Sequence, residues 1–213
     1  MKLKICGMKY ADNLQEVAAL QPDYLGFIFY EKSSRYMADT LAPEEMMAIP
    51  DRIQKVGVFV NATNEYILKK AQRFGLNGVQ LHGDESPHQC QELKEAGYVV
   101  IKVFRLGNEE FDFSQLATYE AYVDYFLFDT QTPNYGGSGQ TFNWAQLENY
   151  SLATPFFLSG GISLANLEQA LQLKHSQLAG LDVNSRFETE PGRKDLAQLQ
   201  KLVGKVRSAR SER

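Results

Sequence analysis

Two ionisable side chains of opposite habit stand at the ends of apolar runs. Cys6 closes Lys4-Ile5-Cys6, and Asp129 closes Tyr125-Phe126-Leu127-Phe128-Asp129. A thiol and a carboxyl brought to one pocket can supply base and acid together, provided their surroundings push the two pKa values in the needed directions. Two further segments join an apolar run to a turn that suits an anion: Leu158-Ser159-Gly160-Gly161-Ile162-Ser163 and Gly180-Leu181-Asp182-Val183-Asn184-Ser185. Turns of this kind aim backbone N–H groups at the space ahead of a helix, where phosphate binds. Each signal alone has an ordinary reading. A cysteine near a strand end is commonly core filler, an aspartate before a glycine-rich loop is as readily a turn residue, and Gly-Gly is more often just a tight turn. The fold must decide.

Short apolar, β-branched or aromatic runs recur at 3–6, 24–29, 55–60, 78–82, 99–104, 125–129, 155–159 and 178–183, and longer amphipathic stretches separate them. Helix signals include Ser86-Pro87-His88-Gln89 as cap, first-turn proline and reciprocal glutamine, with Gly97 at the other end. Ser163 is expected to cap a helix bearing Leu164, Leu167 and Leu171. Ile67, Ala71 and Phe74 mark one face of a helix over 64–74, and Leu196, Leu199, Val203 and Val206 mark the last helix. Strands alternating with helices imply right-handed βαβ units. Eight in sequence predict an α/β fold, a single-domain (β/α)8 TIM barrel over 1–213, with 208–213 as a frayed tail. A doubly wound sheet would carry its glycine fingerprint after the first strand, where Cys6-Gly7-Met8-Lys9 stands instead.

Such a barrel builds its site from the carboxyl ends of its strands. Alternation along the first strand puts Leu3 and Ile5 toward the helices and Lys4 and Cys6 inside, and puts Phe126 and Phe128 outside with Asp129 inside. Lys4 is therefore expected to lower the Cys6 pKa, and partial burial with an anionic substrate to raise that of Asp129. The stretch 129–139, with Gly136-Gly137-Ser138-Gly139, is expected to be a lid. His82 either orients a neighbour or, the commoner reading, is a satisfied polar residue; Cys90 reads as core, and His88 and His175 as solvated. No metal-ligand spacing appears.

The net charge of −4 carries no basic arm, so no nucleic-acid partner is expected, and an anionic substrate must be drawn by local dipoles and single cations. No membrane-spanning run is seen, and no secretory leader is expected. Cys6 and Cys90 lie outside any Cys-x-x-Cys spacing, so the cytoplasm is the expected setting. Monomer and homodimer both stay open.

Lys4-Ile5-Cys6-Gly7-Met8, Ser33-Ser34-Arg35-Tyr36, Val58-Phe59-Val60-Asn61, Val79-Gln80-Leu81-His82-Gly83, Asp129 with its glycine loop, Ser159-Gly160-Gly161-Ile162 and Asp182-Val183-Asn184-Ser185 occur in that order. With these motifs the chain resembles the phosphoribosylanthranilate isomerase family, from the first strand to Pro191-Gly192-Arg193-Lys194-Asp195. The resemblance implies an aldose–ketose isomerase of tryptophan biosynthesis. Its reaction is the acid/base Amadori rearrangement of N-(5′-phosphoribosyl)anthranilate to 1-(2-carboxyphenylamino)-1-deoxyribulose 5-phosphate, without cofactor or metal. It further implies Cys6 as base, Asp129 as acid, Arg35 on the anthranilate carboxylate, Asp182 beside the sugar, and Gly160, Gly161, Asn184 and Ser185 on the phosphate. Arg186-Phe187-Glu188 departs from the family's Gly-Val-Glu-like pattern and leaves Arg186 either at the phosphate or in solvent. A sugar-phosphate epimerase would show metal-binding histidines on its strand ends, and an indole-glycerol-phosphate synthase a longer N-terminal extension. A silent phosphate-binding barrel would be indifferent to loss of Cys6 and Asp129.

Overall fold

The runs rich in Val, Ile, Leu and Phe form the barrel strands within a residue or two of the expected positions. They are β1 (Lys2–Ile5), β2 (Tyr24–Ile28), β3 (Gln54–Phe59), β4 (Gly78–Leu81), β5 (Val99–Leu106), β6 (Tyr125–Thr130), β7 (Phe156–Leu158) and β8 (Leu178–Val183). In the computed structural model, which describes residues 1–131 and 141–211, each strand pairs in parallel with the next. β8 returns to β1, with Lys2 opposite Gly180 and Lys4 opposite Asp182, so the sheet closes. Closure leaves no open edge among these strands and gathers their carboxyl ends on one rim.

Alternation along the strands creates two cores. Outward positions such as Leu3, Ile5, Phe126 and Phe128 pack against the helices, while Tyr24, Val56, Ile101, Val103, Leu127 and Phe157 fill the barrel interior. At the amino ends the Lys2 ammonium reaches the Tyr24 and Tyr125 hydroxyls. Toward the carboxyl ends the interior turns polar, with Lys4, Gln80 and Asp182 buried.

The outer layer contains α1 (Ala11–Ala19), α2 (Pro43–Met47), α3 (Asn64–Phe74), α4 (Pro87–Glu95), α5 (Leu167–Gln172) and α6 (Leu196–Ser211). Thr63 caps α3 by accepting from the Tyr66 N–H, and Gly75 ends it at φ +58. Ser86 caps α4 as expected. Gln89 does not reciprocate; its side-chain amide donates to the Ala62 carbonyl and ties α4 to the loop before α3. After β5 and β6 the chain forms 3₁₀ segments, Phe113–Tyr122 and Trp144–Asn149, in place of full α-helices. The first is half Phe, Tyr, Ser and Thr, residues of modest helix propensity, and its rings pack inward instead.

One expectation changes at a helix end. α5 begins only after Asn166, whose side chain takes the Ser163 N–H, so Ser163 does not cap it. α6 runs through Ser211, and Arg210 there bonds Asp23 and the Met1 carbonyl. Outside the barrel mouth, Lys102 and Glu85 form a buried ion pair at 3.0 Å. Glu85 also accepts from the Asn61 and Gly83 N–H groups, which pins the loops after β3 and β4.

Candidate active site

One cleft opens at the carboxyl rim, with about 770 Å³ of empty space when its mouth is included. Its walls contain every residue to which the resemblance gives a catalytic or binding role: Cys6, Arg35, Asp129, Gly160, Gly161, Asp182, Asn184 and Ser185. Residues far apart in the chain thus meet because each lies at or beyond the carboxyl end of a barrel strand.

Cys6 follows β1 and continues its pairing, donating its N–H to Val183 O. Gly26 makes the room: a Cβ there would lie 2.6 Å from the Cys6 Sγ. Burial pushes this thiol up, and the Asp182 carboxylate adds to the rise, while Lys4 and Lys194 pull down without prevailing. Lys4 therefore acts in the expected direction but loses. The reason is geometric. Its ammonium is wholly buried and bonded to Asp182 Oδ1 at 2.8 Å, which spends most of its field on a carboxylate. Burial would lower Lys4, yet Asp182 and the nearby thiol hold it above the usual ammonium value.

Asp182 lines the cleft with both oxygens engaged, since Ser159 donates to Oδ2 at 3.2 Å. Asp129 lies at the end of β6, one-fifth exposed, and Oδ1 accepts from the Thr130 N–H. His82 faces it. The ring Nε2 comes within 3.3 Å of Asp129 Oδ2, but off the line a hydrogen bond needs, so this buried nitrogen has no aligned partner among the described residues. His82 is therefore a wall of the cleft and not a satisfied bystander. Its neighbour on β4, Gln80, likewise carries a buried Oε1 without a partner there.

The anion end is made by two turns. Gly160 and Gly161 adopt φ +83 and +66, the left-handed region that glycine enters without strain. At Gly160 a Cβ would also strike Thr130 Oγ1 at 2.2 Å and Thr130 N at 2.5 Å. Asn166 holds the turn from behind, donating to Gly161 O and accepting from the Ser163 N–H at 2.8 Å. Asn184 and Ser185 open a short 3₁₀ turn, Ser185–Phe187, on the adjoining strand end. Arg186 is exposed and lines the cleft.

Arg35 already holds a carboxylate. Its Nε and Nη2 donate to both oxygens of Glu188, the closest contact being 2.6 Å. Glu188 sits on β9 (Glu188–Glu190), which with β10 (Arg193–Lys194) forms a small antiparallel hairpin after β8. Lys194, fully buried, donates to Glu188 Oε1 at 2.7 Å and to Asn184 Oδ1 at 2.8 Å. Burial alone would raise Glu188, but Arg35 and Lys194 together hold its carboxyl below the usual range. Burial lowers Lys194, partly offset by Glu188. Sequence reasoning gave no role to Glu188, Lys194 or Asn166, and took His82 for a satisfied polar residue. The Pro-Gly turn before Lys194 was the only local sign that this hairpin folds back.

Cys90 is buried core, its thiol pushed up to about 11 by burial. His88 is solvated, but His175 is not. Its two ring nitrogens meet Tyr150 O and the Gln177 N–H, and the ring packs on Tyr150 and Phe156. Of the expected lid, 129–139, residues 132–139 lie outside the described residues.

The chain is similar to known proteins over nearly its whole length. The family model for "N-(5'phosphoribosyl)anthranilate (PRA) isomerase" matches residues 3–205. Curated proteins named N-(5'-phosphoribosyl)anthranilate isomerase from Phocaeicola vulgatus and Parabacteroides distasonis are 46% and 45% identical. Each match covers 97% of this chain, and 98% and 93% of the relatives. The crystal structure of the Thermotoga maritima phosphoribosyl anthranilate isomerase superposes with a TM-score of 0.82 at 33% identity, covering 98% of this chain and 99% of that one. A further isomerase structure, in complex with reduced 1-(o-carboxyphenylamino)-1-deoxyribulose 5-phosphate, superposes at 0.80 with 29% identity over 98% and 99%.

Proposed function

The chain belongs to the N-(5′-phosphoribosyl)anthranilate isomerase family. From that premise we propose that it converts N-(5′-phosphoribosyl)anthranilate to 1-(2-carboxyphenylamino)-1-deoxyribulose 5-phosphate, with Cys6 as base and Asp129 as acid on one ribose. The observation that carries this reading is that Cys6 and Asp129, from β1 and β6, wall one cleft that also contains the Gly160-Gly161 and Asn184-Ser185 turns. Acid, base and anion cradle are the parts an Amadori rearrangement of a sugar phosphate needs.

The substrate phosphate lies against the backbone N–H groups of the Gly160-Gly161 turn, with Asn184 and Ser185 beside it. The anthranilate carboxylate meets the Arg35 guanidinium on the side that Glu188 does not occupy. Asp129 gives a proton to the ribose ring oxygen, the C1′–O bond opens, and the anthranilate nitrogen takes up the positive charge as a Schiff base. The Cys6 thiolate then removes the C2′ proton, and the electron pair moves toward nitrogen to form the enolamine. Tautomerisation returns a proton to C1′ and leaves the C2′ ketone, so no atom or electron is gained or lost. Asp182 holds Lys4 beside the thiol throughout and does not itself touch the reacting bond.

The pair must work against its resting state. The reaction needs the proton on a carboxyl and off a thiol, the reverse of their habit in water. Burial holds the resting Cys6 thiol above its ordinary range, so the protonated form is favoured before substrate binds. Two cations near Cys6, Lys4 and Lys194, limit that cost.

Tryptophan biosynthesis in the cytoplasm is the proposed setting, in keeping with two free, buried cysteines. Monomer and homodimer serve equally, because every residue given a role comes from one chain. Purified protein incubated with N-(5′-phosphoribosyl)anthranilate should quench the anthranilate fluorescence catalytically. A folded preparation that leaves the fluorescence unchanged rejects the reading.

A further inference from the structure

We infer that Lys194 and Glu188 are positioning residues for substrate binding: Lys194 shares the Glu188 carboxylate with Arg35, and so keeps one unit of positive charge at the cleft for the substrate's own carboxylate. This inference rests on the isomerase reading above. The charge count leads to it. Arg35 and Glu188 alone form a bidentate pair of net zero charge, and a guanidinium neutralised in that way attracts a second carboxylate poorly. Lys194 adds a second cation on the same carboxylate, 2.7 Å from Oε1, so the cluster carries a net charge of one positive unit, from two cations and one anion. In a chain of net charge −4 that must take in an anionic ligand, such a local excess is what draws it.

The geometry gives this cluster little freedom. Glu188 is held from three sides, by Arg35, by Lys194 and by the Gly192 N–H at 3.1 Å. Lys194 is locked at its backbone, since its N–H donates to Asn13 Oδ1 at 2.7 Å and its carbonyl accepts from Asn13 Nδ2 at 3.1 Å. Asn13 is itself buried on α1. The second bond from Lys194, to Asn184 Oδ1, ties the cluster to the phosphate turn. Gly7 lets the parts converge: a Cβ there would lie 2.6 Å from Asn184 Oδ1 and 2.9 Å from Arg35 Cδ. One hairpin outside the barrel thus sets both ends of the ligand site, the guanidinium for the carboxylate and the asparagine beside the phosphate.

Binding of reduced 1-(o-carboxyphenylamino)-1-deoxyribulose 5-phosphate, which does not turn over, tests this by calorimetry alongside steady-state kinetics. Lys194→Met should raise Kd and KM roughly 10- to 100-fold, the scale of one charge-assisted contact, with a smaller change in kcat. Glu188→Gln with Lys194→Met removes one charge of each sign, restores the net positive unit, and should bind about tenfold better than Lys194→Met alone. A merely structural role would lower Tm and the active fraction, leave Kd of the folded fraction unchanged, and make the double variant no better than the single. Either a wild-type Kd in Lys194→Met or no recovery in the double variant overturns the inference while wild-type turnover stands. Absence of wild-type turnover would instead reject the isomerase reading.

Discussion

Gly160→Ala places a single methyl group where the structure has none to spare, and two costs can be worked out. The residue stands at φ +83, and a side chain in the left-handed region costs about 1–2 kcal/mol. The added Cβ would also meet Thr130 Oγ1 at 2.2 Å, Thr130 N at 2.5 Å and Asp129 Oδ1 at 3.0 Å. Rotating the Thr130 hydroxyl relieves the first contact, but the backbone nitrogen can yield only if the end of β6 moves. Overpacking of this kind costs about 1–3 kcal/mol. The sum, about 2–5 kcal/mol, corresponds to a Tm lower by roughly 4–20 °C for a chain of this length. The movement falls on Thr130 and hence on Asp129 beside it, and a displacement near 1 Å of a reacting group costs about 100-fold in rate. Fluorescence turnover should therefore show kcat reduced about 10- to 100-fold in protein still folded at the assay temperature, with weaker binding of the reduced product analogue. A Gly160→Ala variant with wild-type Tm and wild-type kcat would refute the steric reasoning and the coupling of the anion turn to the acid.

The Cys6 thiol, followed by ultraviolet absorbance in a Cys90→Ala background, should titrate above 9.0, and higher again in Lys4→Met, where a cation that lowers it is gone. A resting midpoint at or below 9.0, or no movement in Lys4→Met, would contradict this. Because the folded thiol is the weaker acid, it costs nothing below 9.0, and stability should fall as pH rises from 9.0 through the folded value. Lys102→Met leaves Glu85 charged, buried and bonded only to N–H groups, which should cost about 3–5 kcal/mol in chemical denaturation. A loss under about 1 kcal/mol would show that Glu85 takes up a proton or reaches water instead.

The barrel was legible because its signal is periodic and local: alternation fixed which of Lys4, Ile5 and Cys6 face inward, and the register of Lys4 against Asp182 agrees. Asp129 and the Gly160-Gly161 turn were legible for the same reason, as each follows an apolar run that ends at the rim. What escaped the sequence is pairing across distance. Nothing near Arg35 announces Glu188, and nothing near Lys4 announces that Asp182 will absorb its charge, so the thiol was expected lower than it stands. Likewise Asn166 outcompetes Ser163 at the start of α5 through two bonds to the anion turn, a choice that depends on the turn's folded shape. The 3₁₀ segments after β5 and β6 reflect aromatic rings packed inward, which a helical pattern read along one dimension does not weigh.

The central claim is that Cys6 and Asp129 do the proton transfers and little of the binding. The most direct measurement pairs single-turnover rates with the Kd of the reduced product analogue in Cys6→Ser and Asp129→Asn. The account predicts rates lower by about 100- to 10,000-fold, the usual worth of a positioned acid or base, with Kd within a few-fold of wild type. Either variant retaining more than about a tenth of the wild-type rate, at unchanged affinity, would contradict it.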